Sequence, residues 1–418
     1  MRYNHHAAAF AAILLLSSAP SSARAVTQDA AVTALLAEGE HTHAYANGFC
    51  TECGEAQADY VKPGTDGYYA LKDGHDLLWW AKAVVAQTPN ASARLVSDID
   101  MSGITMTPIG ISGDKPFQGT FDGQGHTISH LEMSGENNVG LFGYVTGGAY
   151  VKNFIVDATS SISGGSYCGV IGGSVGYGSV NIECIGMEGT VKATSINAGG
   201  IFGCCLDGCA ILISDSYVTG KVTGGGESAA IAGWVGGAAT LSNLWSCAEV
   251  EGLSDEEYLY RGGIRSMENC FAVSGSQGSV ITREQLASGE LTYRLNKGVV
   301  ENPVWRQTLG SDDYPSLDKS HGIVFSMAAD EYSSLASDKD VPAMASACQQ
   351  SVADYCGSTI AEQALLDACL TQAEALSDCQ DVAEFCAAYT QMQAALKDIE
   401  ASAAVYARYM ARCAEIKN

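Results

Sequence analysis

The residues whose types and spacing could do chemistry begin near the start of the chain, in His41-Thr-His43-Ala-Tyr-Ala-Asn-Gly-Phe-Cys50-Thr-Glu-Cys53-Gly54. Two imidazoles one residue apart and a Cys-x-x-Cys knuckle supply four nitrogen and sulfur donors, a tetrahedral set suited to zinc. Asn47-Gly48 offers the turn that folds one pair back onto the other. With all four positions filled by protein, no place is left for an activated water, so a zinc ion held by His41, His43, Cys50 and Cys53 is expected to be structural. A Cys50–Cys53 disulfide beside two solvated histidines would satisfy the same residues in an oxidising compartment. The spacing leaves both open.

A second candidate set is acidic. Asp98 and Asp100, at i and i+2, share one face of a strand, with Asp122 expected near them in the same coil. Two carboxylates at the right separation act as acid and base on a glycosidic bond, or hold a cation. The same aspartates border turns, where a carboxylate accepts backbone N–H bonds. A lyase also needs Lys or Arg to neutralise a substrate carboxylate, and Lys115, Lys152, Lys192, Lys221, Arg261 and Arg265 fall in no obviously shared register. A β-helix polysaccharide lyase or glycoside hydrolase is therefore the alternative reading, with no catalytic residue assigned. His126 and His130 flank Thr-Ile-Ser without a Glu, and no H-E-x-x-H occurs, so both are expected to be structural or exposed.

The elements that must position these residues are repetitive. Gly140-Leu-Phe-Gly143, Gly169-Val-Ile-Gly172, Gly200-Ile-Phe-Gly203 and Ala230-Ile-Ala-Gly233 recur at offsets of 29, 31 and 30. Each leads through a Gly-rich corner into a short β-type segment: Val151-Lys-Asn-Phe-Ile-Val156, Ile182-Glu-Cys-Ile, Ile213-Ser-Asp-Ser-Tyr-Val218 and Leu241-Ser-Asn-Leu-Trp. A period near 30 made of such strands describes one coil of a β-solenoid. The quartet glycines leave room for the neighbouring coil or allow φ > 0. Between Gly103 and Gly278 lie 36 of the 47 glycines, which fits many tight corners. Upstream, Leu77, Leu78, Trp80, Ala81, Val84 and Val85 form the apolar stripe of a two- to three-turn helix expected to cover the solenoid's open end.

The first coil carries Leu95-Val-Ser-Asp98-Ile99-Asp100-Met-Ser-Gly, Pro108-Ile-Gly110 and Phe117-Gln-Gly-Thr-Phe121-Asp122-Gly-Gln-Gly-His126-Thr-Ile128-Ser-His-Leu131. With the Gly-Leu-Phe-Gly quartets and Val151-Lys-Asn-Phe, this resembles the GLUG-repeat proteins of bacterial surfaces, over roughly residues 70 to 320. The resemblance implies a right-handed parallel β-helix, of the kind that also accompanies IgA-degrading metallopeptidases, here without the peptidase motif. It implies a fold more firmly than an activity. The segment Leu291-Thr-Tyr-Arg-Leu-Asn296, Trp305-Arg-Gln-Thr-Leu-Gly310 and Tyr314-Pro-Ser-Leu317 is expected to close the domain. The fourth quartet lacks its first glycine, so irregular last coils are expected.

Address and composition bound the rest. Arg2, an apolar run from Ala7 to Leu16 and the small-x-small site Ala23-Arg24-Ala25 read as a signal peptide over residues 1–25. Ten apolar residues are too few to span a bilayer, and no later segment approaches that length. A net charge of −25 argues against nucleic acid and anionic membrane surfaces as partners. From Ser326 onward only Gly357 remains of the glycines, and Val382, Phe385, Tyr389, Met392, Leu396, Ile399, Ala403, Tyr406, Met410 and Cys413 alternate by three and four. That is the seam of a helix about 36 residues long, preceded by two shorter apolar stripes. A three-helix bundle is expected, with Cys348, Cys356, Cys369, Cys379, Cys386 and Cys413 stapling helix to helix, and with a partner helix as the docking option. The expected order is a signal peptide (1–25), a Cys/His zinc-knuckle-like module (38–56), a capped solenoid (68–325) and a Cys-rich bundle (341–418). The expected function is that of a secreted or surface-displayed binding or adhesion protein, non-enzymatic, using a solenoid face to contact an extracellular protein or glycan.

Overall fold

The computed structural model describes residues 42–174, 178–205, 209–251, 257–328 and 331–417. The expected signal peptide and His41 lie outside the described residues. The chain divides into two compact units, Met1–Ala58 and Asp59–Asn418.

The described part of the first unit is a minimal hairpin, Tyr45–Ala46 paired antiparallel with Phe49–Cys50. Its two-residue loop, Asn47 at φ 52° and Gly48 at φ 80°, has both central residues left-handed, as a turn matched to strand twist demands.

The second unit is a parallel β-solenoid of about six turns followed by a helical region, which agrees with the fold class read from the sequence. Residues one period apart stack in register. Phe121, Val151, Ile182, Ile213 and Leu241 form one column. Phe142, Ile171, Phe202 and Ala232 form a second, and Met133, Ile162, Val191 and Val222 a third. All are buried, so the narrow core is a pile of aliphatic and phenyl groups at the ~4.8 Å strand spacing. Close approach is what the quartet glycines provide. A Cβ on Gly140 would stand 2.2 Å from the Gly169 carbonyl oxygen, and one on Gly172 would stand 2.3 Å from the Asn138 backbone. The expected irregularity also occurs, since the strand Ala232–Ser242 shifts register three times against Tyr260–Glu268.

Helix α1 (Gly74–Trp79), capped by the Asp73 carboxylate, runs into a π-helical turn, Trp80–Val85. Trp80 is fully buried against Phe117 and Phe121, 5.9 Å from each ring, which is the covering role expected of this stripe. The closing segment behaves differently from a simple end cap. Ile155, Gly186, Tyr217, Trp245 and Phe271 share one register row, alternate to the core row Phe154, Ile185, Ser216 and Leu244, and so face outward. Helices α2 (Arg283–Ala287) and α3 (Glu290–Leu295), with Trp305 and Leu317, bury that row. The segment clasps the solenoid's flank.

Helices α4 (Val341–Ser358), α5 (Gln363–Ala375) and α6 (Val382–Lys417) form the bundle. Its core also takes in the antiparallel hairpin Ile323–Ser326/Tyr332–Leu335. Phe325 meets Phe385 and Tyr389 edge-on at 5.2 and 4.8 Å, and the Tyr389 hydroxyl donates to the Ser326 carbonyl. The expected staples are absent: Cys348, Cys356, Cys369, Cys379, Cys386 and Cys413 are thiols. Cys348, Cys369 and Cys386 point inward as small apolar side chains, a common use of unpaired Cys. One disulfide is present among the described residues, Cys205–Cys209 in the solenoid. Along α6 the seam is buried from Phe385 to Ile399, whereas Tyr406, Tyr409 and Met410 are exposed. No described helix is long and apolar enough to cross a membrane.

Candidate functional site

In the first unit the hairpin brings three of the four expected donors together. His43, Cys50 and Cys53 place their ligand atoms within 4.8 Å of one another. The knuckle is closed by the Gly54 N–H donating to the Cys50 carbonyl at 2.9 Å and the Cys50 N–H donating to the Glu55 carbonyl at 2.8 Å. Gly54, at φ 73°, makes that reversal. His43 Nδ1 lies 3.5 Å from Cys53 Sγ, and its Nε2 lies 3.3 Å from the Glu55 carboxylate. Cys50 is buried and Cys53 is exposed. This is a His/Cys/Cys set able to hold a metal ion.

The acidic candidates are spread along the coils as turn and corner residues. Asp98 accepts the Thr127 N–H at 3.0 Å and lies 3.1 Å from His126 Nδ1. Asp100 accepts the Ser102 N–H at 2.9 Å and hydroxyl at 2.6 Å, and lies 3.0 Å from His130 Nδ1. Asp122 accepts the Gln124 N–H and the Asn153 amide, with Lys152 at 3.5 Å. The backbone bond from Thr127 holds the Asp98 carboxyl below the usual carboxylate range, and Ser102 does the same for Asp100. At Asp122 burial pushes upward, and Asn153, Gln124 and Lys152 together outweigh it. A general acid needs a raised pKa, so none of the three suits that task. His126 and His130 each tie one coil to the one before.

A site that the sequence reading did not single out lies where the solenoid meets its clasp. Just past the strands, Asp157, Glu188, Thr219, Cys247 and Val273 follow one another up the stack, each donating its N–H to the coil before. Facing them are Arg283, Leu286 and Ala287 of α2 and the pair Asp313-Tyr314. Between the two walls is a cleft of about 950 Å³, with Tyr258 in its lining. Burial pushes the Glu188 carboxyl above the usual range, although the Tyr217 hydroxyl donates to it at 2.5 Å. Arg283 is exposed and has no carboxylate partner among the described residues. The half-buried Tyr314 ring leans on Trp245 at 5.5 Å. Such a concave mixture of aromatic, cationic and polar groups is the usual make-up of a ligand site. Sequence spacing signals one wall, since the residue after each strand recurs with the coil period. The other wall comes from a segment some 100 residues later, which no periodicity could place.

No protein-family model matches the chain. A stretch of 127 residues, 27% of this chain, is 32% identical to halomucin of Haloquadratum walsbyi, and it spans 1% of that protein's length. A solved chain from Bacteroides ovatus, named as a "putative immunoglobulin A1 protease", is 20% identical, with a TM-score of 0.38 over 61% of this chain and 93% of that one.

Proposed function

We propose that this protein is a secreted or surface-displayed, non-enzymatic binding protein of the GLUG-repeat kind, which contacts an extracellular protein or glycan through the clasped flank of its solenoid. The observation that carries the reading is the cleft between Glu188 and Arg283. An unpaired guanidinium offers a forked donor to a carboxylate or sulfate group, the half-buried Tyr314 offers a ring face to the C–H side of a sugar or to an apolar side chain, and Glu188 offers a hydroxyl partner. The strongly acidic chain speaks against nucleic acid. In the first unit, His41, His43, Cys50 and Cys53 hold a structural zinc ion, with every ligand supplied by the chain.

The second reading is a polysaccharide lyase or glycoside hydrolase, favoured by one feature, the raised pKa of Glu188 in a cleft. Probing glycan and glycoprotein arrays with the full chain, while assaying reducing ends and unsaturated products, separates the two. Retention of an intact ligand supports binding. Steady product formation that is lost in Glu188→Gln supports the enzyme and overturns the proposal.

A further inference from the structure

We infer that Glu55 is the positioning residue of the zinc site, acting on the metal through His43; this rests on the proposed zinc reading. The first argument is geometric. An imidazole binds a metal through one nitrogen, and the hydrogen bond made by the other decides which. Here Nε2 is 3.3 Å from the Glu55 carboxylate, and Nδ1 faces the sulfur pair, 3.5 Å from Cys53 Sγ. The Glu55 carboxylate accepts a hydrogen bond from Nε2–H, which fixes the tautomer whose Nδ1 lone pair points at the site. A carboxylate behind a ligating histidine in this way orients the ring and raises its basicity.

The second argument is the size of the unit. Its described strands are two residues each, and Cys50 is its buried hydrophobic residue among those described. A hairpin of this length buries too little apolar surface to hold itself together in water. A shared metal ion supplies the missing cross-link, as it does in other small metal-dependent folds. The backbone fits this role as well. The Cys50 N–H donates to the carbonyl of Glu55, so the strand that carries one sulfur ligand also sets where the Glu55 side chain starts. The Tyr45 ring, stacked on His43 at 5.6 Å and 21° between planes, limits rotation of the imidazole from its other side. The metal class follows from the donors: one nitrogen and two thiolates, with His41 as the fourth donor the sequence offers, favour zinc over hard oxygen-seeking cations.

The test uses the full chain prepared without chelator. Zinc content is measured by elemental analysis, affinity by competition with a chromophoric chelator, and ligand geometry by the visible spectrum of the cobalt(II) form. The expected wild-type result is one zinc per chain and tetrahedral thiolate-type cobalt bands. Glu55→Gln and Glu55→Ala should keep one zinc per chain but bind it about 10–100-fold more weakly, with shifted cobalt bands, and Glu55→Asp should recover part of the loss. In a His43→Ala background the same Glu55 substitutions should have no further effect, because the residue acts through His43. A wild-type protein that binds zinc with affinity and cobalt bands unmoved by Glu55→Ala overturns the positioning role alone. A metal-free wild-type protein with a Cys50–Cys53 disulfide by mass spectrometry overturns the zinc reading and this inference together.

Discussion

One corner of every coil is held by a residue in the left-handed region. Gln124, Asn153, Cys184, Asp215, Asn243 and Asn269 all have φ between 48° and 61°. That conformation costs a side-chain-bearing residue about 1–2 kcal/mol and is easiest for Asn and Asp. The amides also bond along the stack: Asn153 to Asp122 at 2.9 Å, Asn243 to Asp215 at 3.0 Å and Asn269 to Asn243 at 2.7 Å. Cys184 is the odd member, its thiol pushed up to about 12, first by burial and then by the charges of Asp215 and Glu183. Cys184→Asn is expected to stabilise the protein by about 1 kcal/mol, as an increase in the thermal or denaturant midpoint; a decrease would mean that the thiol's packing outweighs the corner preference. The signal was in the sequence, as the third residue of Val151-Lys-Asn, Ile182-Glu-Cys, Ile213-Ser-Asp and Leu241-Ser-Asn. It escaped notice because the apolar residues around it carry the louder periodicity. At Glu188 the pKa is raised in the folded state, so its contribution is fully present below the unfolded Glu value near ~4.3 and is lost as pH rises through the folded value. Glu188→Gln, which keeps an acceptor for Tyr217, should match the wild type in stability near pH 4 and exceed it increasingly toward pH 8. A difference that is flat with pH would show that folding leaves the Glu188 pKa unshifted.

The elements divide into those set by local pattern and those set by distant contact. Helix α6 spans 36 residues, as the unbroken alternation from Val382 to Cys413 requires, and the strand columns follow the 30-residue period. The place of the closing segment on the solenoid's flank and the hairpin at 323–335 were not legible, because their partners are Trp245 and Tyr217 in one case and Phe385 and Tyr389 in the other, all far away in sequence. The hairpin bears on how the bundle behaves in isolation. A fragment of residues 320–418 is expected to melt cooperatively as a helical protein, and residues 341–418, deprived of Phe325 and Leu335, to lose several kcal/mol, as removal of large core groups does. Circular dichroism melts of the two fragments check this. Both should be indifferent to reductant, since the six cysteines are thiols. A reductant-induced loss of the ~2–5 kcal/mol typical of a native disulfide would restore the staples.

At the scale of the whole molecule, the solenoid is a rigid rack on which successive coils present equivalent side chains, and the clasp turns part of its flank into a cleft. Period and composition revealed the rack, the cysteine and histidine spacing pointed to the His43, Cys50 and Cys53 cluster that the hairpin brings together, and the cleft appeared only when the clasp was placed in space. Binding at that cleft is the central claim, and the most direct measurement is calorimetric titration of the ligand identified on the arrays. The full chain, Arg283→Ala, Tyr314→Ala and, as a control outside the cleft lining, Lys192→Ala would be compared. Removing a charge-assisted bond or an aromatic platform removes about 1.4 kcal/mol or more, equivalent to a factor of ten. The account predicts at least a tenfold loss of affinity in Arg283→Ala and Tyr314→Ala, with Lys192→Ala unchanged. Equal affinity in all four proteins would contradict it and move the binding face elsewhere on the solenoid.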